Sequence, residues 1–161
     1  MAKSYSSYTG TNGNVSKNIS NGKDVKINNK NTNDKNPIGI MVVDDDFDIC
    51  NIMRMALQKQ GFDVYGFTDP LLALEHFRAN CKSCNIVISD MRMPVMNGFE
   101  FLQNIALVKP TIKLLLMSAF SIEGDPEYAK LSKQTNIDGF IQKPVSMRFL
   151  IQTIKSYITQ K

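Results

Sequence analysis

The stretch IVISDMRMPVMNGFEFLQNIALV, Ile86–Val108, decides how the chain folds. An apolar run, Ile86–Ser89, is too short for a helix and delivers a lone carboxylate, Asp90. A β-branched run of this length, bounded by turn residues, reads as a strand buried on both faces. Met93-Pro94 then ends it, because proline lacks the N–H a ladder requires. Asn97-Gly98 turns the chain, and Phe99, Leu102, Ile105 and Ala106 recur at helical spacing, which predicts a helix over Gly98–Val108. Either Asp90 is a polar strand end, or the strand exists to hold that carboxylate in place.

The same strand–turn–helix unit repeats on both sides. Ile38–Val43 reads as a strand and Phe47–Gln60 as a helix, with Ile49, Ile52, Met53, Ala56 and Leu57 on one face. Phe62–Phe67 is the second strand. Asp69 as N-cap and Pro70 just inside it open a helix to Asn80. Ile112–Met117 is the fourth strand, and Asp125-Pro126-Glu127 signals a helix ending near Gln134. Gly139–Gln142 is the fifth strand, followed by a helix over Ser146–Ile158 capped by Ser146. Apolar strands alternating with helices are covered on both faces, so the fold class is α/β with a doubly wound, five-stranded parallel sheet.

Composition is that of a soluble globular protein, 43% hydrophobic and 21% charged. No run approaches the roughly 18 apolar residues a membrane helix needs, so no membrane insertion is expected. Three cysteines without an apolar leader argue against a disulfide framework and for an intracellular, cytoplasmic protein. Residues 1–37 hold six lysines and two aspartates, which account for the whole net charge of +4. This Asn-, Ser-, Gly- and Lys-rich tail has too little apolar surface to offset the entropy of ordering, and disorder is expected there. It lacks arginine, and no direct nucleic-acid binding is expected. Residues 38–161 form the folded domain.

In such sheets function collects at the carboxyl ends of the strands. The first strand ends in Asp44-Asp45-Asp46, the third in Asp90, the fourth in Ser118-Ala119 and the fifth in Lys143-Pro144. Crowded carboxylates repel unless a cation joins them. An all-oxygen donor set suits magnesium, which keeps open positions for water and a phosphate. A lysine and a hydroxyl nearby would complete a cradle for phosphoryl oxygens.

The ordered motifs MVVDDD, VISDMRMPVMNG, LLLMSA and GFIQKP resemble the receiver domain of two-component response regulators, over Ile38–Lys161. The resemblance implies a flavodoxin-like fold with strand order 2-1-3-4-5. It makes Asp90 the phosphoacceptor, taking phosphate from a sensor histidine kinase. Asp45 would bind Mg2+ directly, Asp44 largely through water, and Asp90 and the Arg92 carbonyl would complete the protein ligands. Ser118 would be the hydroxyl switch residue, Lys143 the phosphate-binding lysine, and Lys143-Pro144 a cis peptide. Pro94, Gly98 and Pro144 would shape the loops. Phe140 would turn inward with Ser118. Many relatives carry tyrosine there, and phenylalanine lacks the hydroxyl that bonds outward. The readout face would comprise the fourth helix, fifth strand and last helix, for an unknown downstream protein and for a homodimer. Such a domain is no enzyme beyond catalysing its own phosphorylation and dephosphorylation. Because the sequence ends just after the last helix, a single-domain regulator is expected. The 25-residue step from Ser118 to Lys143 is slightly long for the family, with the extra residues around Ile122–Pro126.

Other signals are weaker. His76, between Leu74 and Phe77, reads as a surface or packing histidine. Cys81-Lys-Ser-Cys84 follows a helix, without the strand-to-helix placement of a redox pair or the ligand count of a zinc site. Two ordinary loop cysteines are the simpler reading. Asp44, Asp46 and Asp48 mimic the start of a calcium loop, but Ile49 and Met55 stand where Gly and Glu are needed. Asp46 fits a helix start instead. Two alternatives remain for the function. In a haloacid-dehalogenase-like phosphatase, Asp44-Asp45-Asp46 would supply the DxD, but Phe47-Asp48 and Lys143-Pro144 do not fit. A degenerate receiver would bind proteins without phosphorylation.

Overall fold

The computed structural model describes residues 37–119 and 136–159. They run β1 (Gly39–Val43), α1 (Phe47–Gln58), β2 (Asp63–Phe67), α2 (Pro70–Asn80), β3 (Cys84–Asp90), α3 (Gly98–Val108), β4 (Lys113–Ser118), β5 (Gly139–Gln142) and α4 (Met147–Thr159). The expected tail over 1–37 falls almost wholly outside the described residues. So do the helix expected from Asp125 and the long segment around Ile122–Pro126.

All strand pairs are parallel, in the order β2-β1-β3-β4-β5. The sheet splits the core in two because strand side chains alternate between faces. Met41, Val43, Val87, Leu114 and Leu116 pack with α2 and α3, including Phe77, Phe101 and Ile105. Ile40, Val42, Ile88, Leu115 and Met117 pack on the other face with Met53 and Leu57 of α1 and Leu150 and Ile154 of α4. Both strand parities are therefore apolar, which is why these strands carry no polar alternation.

Local chemistry sets the helix starts. Asp46 is the N-cap of α1, its carboxylate accepting from the N–H groups of Asp48 and Ile49 at 2.9 and 3.1 Å. Asp69 does the same for α2 through Leu71, with Pro70 in the first turn. The Ser146 hydroxyl accepts from the Phe149 amide at 3.2 Å at the start of α4.

Several expected boundaries move. Helix α1 stops at Gln58 rather than Gln60, and β4 runs one residue later than expected. Strand β3 starts at Cys84 and includes Asp90. Cys84 is therefore a buried strand residue and not part of a loop. The buried stripe of α1 is Cys50, Met53 and Leu57, while Ile52 is 55% exposed. The buried stripe is thus turned from the expected one: Cys50 is buried, Ile49 packs only partly buried against the core, and Ile52 is exposed.

Candidate functional site

Parallel register brings the strand ends together. Val43 pairs with Ser89, so Asp44 and Asp90 leave neighbouring strands side by side. Ser118 pairs with Gln142, which places Lys143 just beyond the β4 end. The Lys143 N–H donates to the Ser118 carbonyl at 2.8 Å and holds that junction closed. The Lys143–Pro144 peptide is cis.

Lys143 Nζ reaches across the sheet to both carboxylates. It donates to Asp44 Oδ2 at 2.8 Å and pairs with Asp90 Oδ1. The other oxygens are held by backbone. Asp44 Oδ1 accepts from the Asp46 amide at 3.0 Å, and Asp90 Oδ2 from the Arg92 amide at 2.7 Å. Each carboxylate is thus fixed in orientation by one amide and one shared ammonium. Such charge-assisted bonds are about twice as strong as neutral ones.

Burial differs along this triad. Asp44 is 1% exposed, whereas the Lys143 side chain retains 19%. Dehydration pushes the Asp44 carboxyl above its usual range, and the Lys143 hydrogen bond only partly offsets it. For Lys143, burial alone would lower the ammonium, but the hydrogen bonds and charges of Asp44 and Asp90 together outweigh it and raise it. The two directions agree once depth is considered: one cation shared by two carboxylates cannot fully compensate the deeper one.

Asp90 is the last residue of β3, and the loop after it is tightly bound. The Met91 amide donates to the Met117 carbonyl at 2.8 Å, carrying the β3–β4 ladder past Asp90, and the Ser89 hydroxyl bonds the Asp90 carbonyl at 2.9 Å. Pro94 to Met96 form a three-residue turn, with Val95 at φ 71 and a Met96 amide to Pro94 carbonyl bond of 2.8 Å. A β-branched residue at positive φ is strained. Asn97 caps α3 by accepting from the Glu100 amide at 2.9 Å, and the Gly98 amide returns to the Met91 carbonyl at 2.9 Å.

Of the expected residues, Asp44, Asp90 and Lys143 meet directly. Ser118 is 2% exposed at the end of β4, beside them in the ladder. Asp45 is exposed and stands outside the hydrogen-bonded triad. Arg92 is tied to Asp90 by its amide. Phe140 is half-buried on β5 against the α2–α3 side of the core, and Pro94 and Pro144 are exposed. Among the described residues no three carboxylate, thiol or imidazole groups converge as a closed metal cage. The donor set still fits magnesium, which uses one or two carboxylates and keeps several waters. Two carboxylates against one ammonium also leave the net negative charge that a cation would offset.

Away from the triad, burial also acts on two thiols and the histidine. Burial pushes the Cys50 and Cys84 thiols up to about 11. Cys81 alone of the three cysteines is partly exposed. A thiol reagent at pH 8 is expected to modify one cysteine quickly and the other two only after unfolding, since the thiolate is the nucleophile. Two fast equivalents in the folded protein would contradict this. His76 packs against the rings of Tyr65 and Phe67, with centroids 4.9 and 5.1 Å away, and burial lowers its pKa.

The chain matches a known family. The response regulator receiver domain matches residues 40–155, and the chain belongs to that family. It is 38% identical over 84 residues to the transcriptional regulatory protein ZraR of Klebsiella oxytoca, covering 52% of this chain and 18% of that protein. It is 31% identical over 121 residues to the regulatory protein VanRB of Enterococcus faecalis, covering 75% of this chain and 52% of that one. A solved response regulator receiver domain protein from Clostridium thermocellum shares 27% identity with a TM-score of 0.68, over 76% of this chain and 95% of that one. The chain thus spans about half or less of the length of these two curated relatives. Membership of the family places the chain in two-component signalling. Among the described residues no helix is long and apolar enough to cross a membrane.

Proposed function

We propose that Asp90 accepts a phosphoryl group from the phosphohistidine of a sensor histidine kinase, with Mg2+ held by Asp45, Asp90 and the Arg92 carbonyl and, through water, by Asp44. The aspartyl phosphate then switches the surface around β5 for a downstream protein in the cytoplasm. A carboxylate oxygen of Asp90 attacks phosphorus, the P–N bond to the histidine breaks, and the imidazole leaves. The amide of Arg92 and the ammonium of Lys143 pin the Asp90 carboxylate beforehand, which removes orientational freedom from the reaction. Lys143 then turns its charge to the transferred oxygens. Magnesium, when held by these residues, would supply further positive charge against the phosphoryl oxygens. The Ser118 hydroxyl closes on the phosphate from the end of β4, and Phe140 turns inward behind it. Water later cleaves the acyl phosphate, so the protein catalyses only its own phosphorylation and dephosphorylation.

One observation carries this reading: a single ammonium spans Asp44 and Asp90, two nearly buried carboxylates at the carboxyl edge of the sheet. The test is treatment with acetyl phosphate and magnesium, reduction of the acyl phosphate with borohydride, and mass-spectrometric mapping. Modification at Asp90 is expected. Modification at Asp44 would favour the dehalogenase-like alternative. If neither residue is modified and beryllofluoride does not bind, a protein-binding role without phosphorylation takes its place.

A further inference from the structure

Beside the triad lies a groove of about 540 Å³. Ile49, Ile52 and Met53 of α1 form one wall, and Pro144, Val145 and Met147 the other. Lys143 also lines it, and the Lys143 ammonium bonds Asp44 and Asp90. The groove is within the size range of small-molecule sites, and such sites are mostly apolar with few polar groups. Ile52, 55% exposed, lines this groove and not the core that helical spacing assigns it. Apolar walls leading to the triad complement a phosphoryl donor with an apolar tail once a bound cation has offset the net negative charge of the two carboxylates. Because the Lys143 ammonium touches the acceptor carboxylate, the anionic end of such a ligand comes to rest at Asp90.

We propose that this groove takes the acyl chain of small acyl phosphates, so that Asp90 reacts faster with acyl phosphates of several carbons than with acetyl phosphate. The inference rests on Asp90 being the phosphoacceptor. In the step, an Asp90 oxygen forms a bond to phosphorus while the P–O bond to the acyl group breaks. The carboxylate of the donor leaves with the bonding pair, and no proton or redox partner is consumed. Hexanoyl and acetyl phosphate release carboxylates of nearly the same basicity, so a difference in rate reports contact with the chain. Partial burial of the four extra methylenes predicts a second-order rate about tenfold higher for hexanoyl phosphate.

The experiment compares phosphorylation of Asp90 by the two donors in the full chain with magnesium, and repeats the comparison in Ile52→Ser. The expected rate ratio is about tenfold, falling towards one in the variant. As a binding readout, hexylphosphonate, which cannot transfer its phosphorus, should shift the methyl resonances of Ile52 and Met147. Equal rates with both donors would overturn the groove assignment while leaving Asp90 as acceptor. A ratio unchanged by Ile52→Ser would overturn it too. No phosphorylation by either donor would overturn both readings.

Discussion

Lys143→Ala is expected to lower stability by about 3 kcal/mol and slow phosphorylation of Asp90 by at least about 100-fold. Truncation leaves Asp44 and Asp90 facing each other without their shared cation, and breaking a buried pair by removing one partner typically costs about 3–5 kcal/mol. The lower end applies because the Lys143 side chain is 19% exposed and water reaches the site. The rate loss corresponds to removing one positioned donor from a developing anion, roughly 100- to 1,000-fold. The pH dependence separates this mechanism from simple loss of packing. In the native protein Lys143 is raised. Its contribution is therefore complete below the ordinary lysine value and is lost as pH rises through the higher folded value. The variant lacks that alkaline loss. Without Lys143, the already raised Asp44 carboxyl rises further, so the folded state binds protons more tightly than the unfolded chain. The deficit should then shrink as pH falls from neutral towards the ordinary carboxylate range. Urea unfolding of both proteins from about pH 5 to beyond the ordinary lysine value measures both changes. A deficit independent of pH would mean that the ammonium contributes only packing.

Asp44, Asp90, Ser118 and Lys143 were legible in the sequence because a parallel sheet turns strand ends into one spatial edge. The apolar runs locate those ends, but they do not decide which of Asp44, Asp45 and Asp46 enters the triad. The two halves of the core were legible for the same reason, since both parities of each strand are apolar. The face of α1 was not legible. Ile49 and Ile52 have helical spacing, but periodicity alone cannot separate a core wall from a groove wall. The true start of β3 was hidden because its first residues depend on partners distant in sequence. Cys84 pairs with Gly39, and the Gly39 amide donates to the Asn85 side chain at 3.0 Å. Nothing in a valine announces positive φ, so the turn at Val95 had no local signal. Asp45 is a case of chain proximity without shared contact: it adjoins Asp44 but points outside the triad that Asp44 joins.

Gly98 illustrates how a correct residue can be chosen for an incomplete reason. Asn97-Gly98 reads as a turn into a helix that starts at Gly98, and the structure agrees, with Asn97 as the helix cap. The need for glycine there is steric. A Cβ on Gly98 would stand 2.1 Å from the Asp90 carbonyl oxygen and 2.7 Å from Leu116 Cδ1. The Leu116 methyl can move, but the Asp90 carbonyl is fixed by the Ser89 hydroxyl and belongs to the acceptor residue itself. Gly98→Ala is therefore expected to destabilise the domain by about 3 kcal/mol, at the upper end for overpacking because backbone must shift. It should also slow phosphorylation of Asp90 by about tenfold or more, since a displacement near 1 Å at a reacting group can cost about 100-fold. Helix propensity makes the opposite forecast, because alanine is favoured over glycine in helices by roughly 1 kcal/mol. The sign of the change in urea midpoint therefore decides between close approach and propensity. A more stable Gly98→Ala protein with an unchanged phosphorylation rate would show that α3 can move away from Asp90 without cost, and that the acceptor is not held by the start of this helix.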